Sequence, residues 1–119
     1  MSEEKKLLIE QGILFPDGQI NKNKINLISG AVTKPFAEML WGVTGGDMET
    51  INRVTDILVT MNTDVERNNL FKIIQMLYGV VGVMFPEQAA YMSFENNALE
   101  YFIFSFTADF GEIIQEYKT

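Results

Sequence analysis

The clearest pattern in the chain is an apolar stripe near its C-terminal end. Its members recur at alternating steps of four and three residues: Leu99, Ile103, Phe106, Phe110, Ile113 and Tyr117. Such steps place side chains on one face of an α-helix. A strand is the alternative, because residues 101–107 are rich in aromatic and β-branched side chains. The helix is favoured, since the spacing continues over a longer segment than most strands cover.

A second apolar segment runs from Leu70 to Phe85. Leu70, Ile74 and Leu77 share one helical face, and most of the flanking positions are also apolar. A helix that is apolar most of the way round is typical of the centre of a fold. Pro86 predicts its end, because the residue before a proline avoids the α region.

The first twenty residues predict a short helix followed by a tight turn. The turn is Phe15–Gln19, in which Pro16 presets one backbone angle and Gly18 accepts a positive φ. The flanking segments 13–15 and 19–21 are apolar enough to pair across it, which predicts a tiny β-hairpin.

A helical pattern then opens at Asn23 and continues through Val32. Pro35 interrupts it, so that either the helix kinks or Pro35 begins a second helix. The glycine-rich segment 42–46 predicts a flexible hinge. Asp47 is placed to cap the helix after it, because its side chain can accept from the first free amides.

Length and composition fit one helical domain. The chain has 119 residues, the size of a single domain, and 47% of them are hydrophobic. The patterns together predict an all-α protein, with residues 1–119 forming one compact bundle of five or six helices. The strand alternative for residues 101–107 corresponds to an α+β fold with a C-terminal hairpin.

Charge is distributed unevenly along the chain. The formal net charge is −7, and no Lys or Arg lies between Ile73 and Tyr117. Binding along a nucleic-acid backbone or on an anionic membrane needs clustered basic residues, so both are disfavoured. A basic protein is the partner that this charge favours.

The last predicted helix therefore holds the candidate partner-binding residues. Tyr101 and Phe104 lie away from its apolar stripe, and several acidic residues accompany them. The full set is Glu95, Glu100, Tyr101, Phe104, Asp109, Glu112 and Glu116. The competing interpretation is an ordinary solvated face. Trp41 is interpreted as a core anchor, with a binding hot spot as the alternative.

Catalytic and metal-binding patterns are missing from the sequence. With no His and no Cys, the commonest general base and the commonest metal ligands are absent, and we expect no cofactor and no metal. The loop at 42–47 lacks the Gly-Lys-Ser/Thr ending of a phosphate loop. We therefore expect a non-enzymatic protein.

The sequence favours a small acidic module that binds a basic protein, such as a regulator, inhibitor, immunity protein or assembly chaperone. The alternatives are a small-molecule binder, with a Met-, Phe- and Tyr-lined pocket between the last two long helices, and an oligomeric structural subunit. A cytoplasmic location is expected, because residues 73–85 fall short of the roughly 20 apolar residues that span a bilayer. Abundant Lys, Asn and Ile suggest an AT-rich coding genome, as in low-GC bacteria and their phages.

Overall fold

The computed structural model describes residues 2–60, 64–81 and 85–118, without the side chains at positions 55, 57–60, 64, 77, 80, 81, 96 and 118. The helices in these ranges are α1 (Glu3–Glu10), α2 (Lys22–Thr44), α3 (Met48–Thr60), α4 (Asp64–Val81), α5 (Glu87–Ala90) and α6 (Asn96–Lys118), with a 3-10 turn at Tyr91–Phe94. The all-α prediction is confirmed. The strand alternative is wrong, because residues 101–107 lie within α6. This segment is rich in apolar side chains because α6 packs against several helices at once.

The predicted N-terminal hairpin is reduced to one isolated bridge between Leu14 and Ile20. The turn inside it forms as expected: the Phe15 amide donates to the Gln19 carbonyl at 2.8 Å, and Gly18 has φ +88°. After this turn Asn21 caps α2, its side-chain oxygen accepting from the Lys24 amide at 3.4 Å.

Helix α2 passes through Pro35 without ending and continues to Thr44. Residues 42–44 of the predicted hinge are therefore helical, and the chain turns only at Gly45 and Gly46, which have φ +64° and +81°. Gly45 is the left-handed cap of the helix, and its amide donates to the Trp41 carbonyl. Flexibility of segment 42–46 stays a prediction.

Helices α2 and α6 lie side by side and run parallel. The Asn26 side-chain oxygen accepts from the Ser105 hydroxyl at 3.0 Å, and one turn further the Ser29 hydroxyl donates to Asp109 at 3.2 Å. The rings of Trp41 and Tyr117 meet near the two C-terminal ends, 4.8 Å apart. Contacts therefore follow the same order along both helices, which places both C-termini at one end.

Helix α6, rather than α4, occupies the centre of the fold, since it packs against α2, α3, α4 and the 3-10 turn. The prediction that the 70–85 helix is central is wrong. Helix α4 buries Phe71, Ile74 and Tyr78, but Ile73 is 51% and Met76 71% exposed. The side chain of Leu77 lies outside the described residues. No helix in the described ranges is long and apolar enough to cross a bilayer.

The buried hydroxyl of Tyr78 has no hydrogen-bond partner among the described residues. The side chain is 1% exposed, and burial raises the pKa of its phenol far above the ordinary value. The Phe36 backbone lies near the hydroxyl and opposes this shift, but it does not reach hydrogen-bond geometry. An unsatisfied buried hydroxyl carries a desolvation penalty of about 1–3 kcal/mol.

We expect the Tyr78→Phe substitution to leave the free energy of unfolding unchanged or to raise it by up to about 1 kcal/mol, because it removes that penalty and keeps the ring. Urea denaturation followed by circular dichroism measures the change. Tyr91→Phe is the control, since the Tyr91 hydroxyl has a partner, Glu87, at 3.2 Å. A loss above about 1 kcal/mol for Tyr78→Phe would show that its hydroxyl is satisfied in the folded protein.

Candidate partner-binding groove

An open groove with a volume of about 940 Å³ lies between α2 and α6. We call it the acidic groove. Among the described residues, its lining comes from these two helices: Asn26, Gly30, Thr33, Lys34 and Glu38 from α2, and Tyr101, Phe104, Ser105, Ala108, Asp109, Glu112, Ile113, Glu116 and Tyr117 from α6.

Small side chains keep the floor of the groove open. Gly30 and Ala108 lie on opposite helices, and a Cβ added at Gly30 would meet nothing within 4 Å. Beneath them the hydroxyls of Thr33 and Ser105 are occupied: the first donates to the Ser29 carbonyl at 2.6 Å and the second to Asn26. The floor of the groove is thus polar, and both of these hydroxyls are hydrogen-bonded within the protein.

Negative charge dominates the groove walls. Four of the described lining residues are acidic: Asp109, Glu112 and Glu116 on α6 and Glu38 on α2. The basic residue in the described lining is Lys34 on α2. The acidic residues are not equivalent, because Asp109 is half-buried and accepts from the buried Ser29, while Glu112 is exposed. Carboxylates arranged on both walls favour cations over anions in the space between them.

The N-terminal end of the groove is aromatic. Phe104 is 69% exposed, and its ring centre lies 6.3 Å from that of Tyr101. The ammonium group of Lys22 lies 5.7 Å from the centre of the Tyr101 ring, within the range of a cation–π contact. A smaller depression of about 570 Å³ adjoins here and shares both aromatic residues; Glu100 belongs to its lining.

The C-terminal end combines aromatic rings with carboxylates from both helices. Glu38 and Glu116 line the groove together with Tyr117. Burial raises the pKa of the Tyr117 phenol, and the negative charges of Glu38 and then Glu116 raise it further. Trp41 packs on the ring of Tyr117. Trp41 also lies against the turn that follows α2, where a Cβ added to Gly46 would come within 3.3 Å of the indole.

Six of the seven predicted partner-binding residues lie on this surface. Five line the acidic groove: Tyr101, Phe104, Asp109, Glu112 and Glu116. Glu100 lines the adjoining depression, whereas Glu95 lines neither. Glu95 instead precedes α6, where its carbonyl accepts from the Leu99 amide at 3.1 Å.

Sequence reasoning missed the α2 wall of the groove. Asn26, Gly30 and Thr33 recur at steps of four and three directly beside the buried positions of that helix, and Glu38 lies further along. A stripe of small and polar residues next to an apolar one is the signal that marks an uncovered helix edge. Its meaning depends on which helix lies beside it, and spacing does not reveal that.

The aromatic residues between α4 and α6 pack against one another. The Phe71 ring meets Phe102 at 5.7 Å and Phe85 at 5.4 Å, both edge-on. The Met-, Phe- and Tyr-lined pocket expected in the small-molecule alternative was placed between these helices, and the rings described there form core contacts. The acidic groove lies on a different face of α6.

Replacing a glycine by alanine is expected to have opposite effects on stability within α2 and in the turn that follows it. We expect Gly30→Ala to raise the free energy of unfolding by about 0.5–1 kcal/mol, because an interior helical glycine is replaced without a clash. Gly46→Ala is expected to lower it by about 1–2 kcal/mol, because φ is +81° and the new Cβ meets Trp41.

Thermal and urea denaturation of these two variants check the difference. Gly42→Ala is the matched control for the first, because Gly42 is also helical with nothing within 4 Å of an added Cβ. A destabilised Gly30→Ala beside a stabilised Gly42→Ala would mean that the groove floor is closed in solution.

Chemically, the acidic groove can hold cations against carboxylates and ring faces, and apolar groups against Phe104. Among the described residues no three acidic side chains converge closely enough to hold a metal ion. Comparison of the chain with protein-family models, with curated proteins and with solved structures gives no match.

Proposed function

We propose that this protein is a small non-enzymatic binding module that engages a basic segment of a protein partner through the acidic groove. The observation that carries the proposal is the convergence of carboxylates from two helices on one open groove that also exposes aromatic side chains. A regulator, inhibitor, immunity protein or assembly chaperone would each use such a surface.

The charge of the groove supports a basic partner. Glu38 lies on one wall and Glu112 and Glu116 on the other, so a bound Lys or Arg would meet carboxylates from both sides. Opposed carboxylates speed encounter with a cationic partner and disfavour anionic ones. The overall charge of −7 acts in the same direction at longer range.

The shape of the groove supports a helical segment as the occupant. From Tyr101 to Tyr117 the α6 wall extends over about 24 Å at 1.5 Å per residue, which is about four turns of a partner helix. Two parallel helices with a small-residue floor between them leave the space that a third helix fills. Apolar residues of that helix would cover Phe104, as in other helix-in-groove complexes.

Differential capture by matched variants tests the proposal. The baits are the wild type, two groove variants and two controls outside the groove. Glu112→Lys is matched by Glu10→Lys on α1, and Phe104→Asp, at 69% exposure, by Met76→Asp, at 71%. The relevant partner is a protein that the wild type retains in stoichiometric amount and that salt releases. We expect both groove variants to lower the affinity for this partner at least about tenfold, or 1.4 kcal/mol, and both controls to bind it with wild-type affinity.

Capture of a protein by the wild type alone does not support the proposal, because an acidic protein retains basic ones without a specific site. The dissociation constant of the purified partner must separate groove variants from controls. Equal affinity for all four variants would place the contact elsewhere, and the absence of any stoichiometric partner would remove the proposed function.

A further inference from the structure

Helix α4 carries an exposed apolar stripe with one cation in it. Val65 is 69% and Met76 71% exposed, and Ile73, at 51%, lies beside them. Val65 and Met76 are eleven positions apart, which is about three turns of helix, so they share one line along α4. Lys72 is exposed and lies on the same line, one turn before Met76. This surface, which we call the α4 stripe, is therefore both apolar and basic.

The charge of this segment is opposite to that of the chain as a whole. Residues 67–86 contain Arg67 and Lys72 but no acidic residue, whereas the formal net charge is −7. Arg67, like Glu66 before it, already takes part in an interaction within the chain, so Lys72 is the cation counted for a partner. Two copies with this net charge repel each other at most surfaces, and a basic face such as the α4 stripe lowers that repulsion.

The acidic groove has the complementary chemistry. Phe104 is 69% exposed, and Glu112 is exposed two turns further along α6. Ala108 lies between them and Gly30 lies on the other wall, so this part of the groove has small side chains. Lys34 also lines the groove, but neither it nor Glu112 forms an ion pair with a described residue. An aromatic side chain, a small one and a carboxylate thus follow one another along α6.

The two surfaces match in length and spacing when α4 of one copy lies antiparallel to α6 of another. Helix α4 has 18 residues, or about 27 Å, and the α6 wall of the groove extends over about 24 Å. With Met76 opposite Phe104, an equal step of four residues on both helices places Lys72 opposite Ala108. Glu112 lies one turn further, about 6 Å away, within reach of a lysine side chain.

Helix dipoles favour the same direction. In the antiparallel arrangement the N-terminal end of α4, which carries a partial positive charge, lies near the C-terminal ends of α2 and α6, which carry partial negative charges. Helix α2 has no basic residue in its last turn to offset that charge. An apolar helix face in a groove between two helices is also a common mode of recognition between proteins.

We propose that the α4 stripe docks in the acidic groove of a second copy of this chain. Helix α4 meets α6 through Phe102, which is not among the described residues that line the groove, so the stripe and the groove lie on different faces. The contact is therefore heterologous, and the copies join head to tail. The inference rests on the proposed function, because it uses the same groove, and it names a second copy as a partner.

The mass of the full chain in solution tests the proposal. A single helix face buries little area, so the association is expected to be weak. Sedimentation equilibrium from about 10 µM to about 1 mM is expected to show a mass that rises above the 13.5 kDa of one chain. Met76→Asp in the stripe and Phe104→Asp in the groove should each weaken the association at least about tenfold. Val43→Asp is the matched control, because Val43 is 77% exposed and lies outside both surfaces.

Mixing the two variants tests the head-to-tail arrangement. Met76→Asp keeps an intact groove and Phe104→Asp an intact stripe, so their equimolar mixture is expected to form a complex of two chains that cannot grow further. A contact between two α4 stripes would instead leave Phe104→Asp associated on its own and would overturn the proposal. A wild type with the mass of one chain at about 1 mM would overturn it as well.

A charge exchange tests the register of the two helices. Lys72→Glu and Glu112→Lys are each expected to weaken the association at least about threefold, because each replaces an attraction by a repulsion. The double variant is expected to recover most of this loss, since the exchanged charges attract each other again. Both positions are exposed, and circular dichroism checks that the variants are folded. Additive losses in the double variant would overturn the proposed docking.

The two proposals can fail separately. Partner affinities are measured below about 1 µM, where self-association is negligible, so Met76→Asp stays a valid control for the groove. If a captured protein depends on Glu112 and Phe104 while the wild type has the mass of one chain at about 1 mM, the groove binds another protein and the docking of a second copy is wrong. If copies assemble as expected while no other protein is captured, the docking stands and a role as regulator or inhibitor of another protein fails.

Discussion

Replacing Phe36 with alanine is expected to lower the free energy of unfolding by about 3–5 kcal/mol. The Phe36 ring is 5% exposed and lies between three others: 5.2 Å from Phe106, 5.7 Å from Phe110 and 6.5 Å from Tyr78. It is the side chain through which α2, α4 and α6 meet. Alanine removes the ring from all three contacts and leaves a cavity that rigid neighbours cannot fill.

Urea denaturation measures the loss, with Phe104→Ala as the matched control. Phe104 is 69% exposed, so the same change there is expected to alter the free energy of unfolding by about 0.5 kcal/mol or less. Phe36→Leu, which keeps most of the volume, gives an intermediate value if the alanine variant is too unstable to measure. Similar losses at positions 36 and 104 would contradict the ring arrangement described here.

The apolar stripe of α6 was predictable because it depends only on spacing within one helix. Leu99, Ile103, Phe106 and Phe110 are buried as expected, and the last members, Ile113 and Tyr117, pack at the margin of the core. The buried face is wider than the predicted stripe, since Ala98, Phe102 and Ile114 are also buried. A helix that packs against several other helices needs more than one apolar stripe. The spacing of residues within one helix does not reveal how many helices pack against it.

The central role of Phe36 was not predictable from spacing. Its ring partners on α6 lie about seventy residues further along the chain, and nothing local indicates that α2 pairs with α6 in parallel. The same reason explains the error about α4. Its apolar composition predicted a central helix, yet Ile73 and Met76 are exposed, and it is α6 that packs against α2, α3 and α4.

The candidate site, too, could be predicted from the sequence only in part. Its α6 wall, with Tyr101, Phe104 and Glu112, followed from charge and spacing in one segment. Its α2 wall and the different roles of the acidic residues required the packing of two distant segments. Asp109 illustrates this best, because the sequence groups it with the solvated acids while the structure bonds it to Ser29.

Asp109→Ala is therefore expected to lower the free energy of unfolding by about 1–3 kcal/mol, whereas Glu112→Ala changes it by about 0.5 kcal/mol or less. The Asp109 carboxylate accepts from the Ser29 hydroxyl at 3.2 Å, and Ser29 is fully buried. Removing the carboxylate leaves that hydroxyl without its acceptor inside the α2–α6 interface. Water cannot fully compensate for the lost hydrogen bond there, because the hydroxyl is buried.

A double-mutant cycle separates the hydrogen bond from the loss of charge. Ser29→Ala removes the donor, and in its background Asp109→Ala should cost clearly less than in the wild type, because the orphaned hydroxyl is gone. Glu112→Ala should show no such coupling with Ser29→Ala. Additive effects of Ser29→Ala and Asp109→Ala would mean that the bond contributes nothing to the pairing of the helices, and Asp109 would then belong with the exposed acids of the acidic groove.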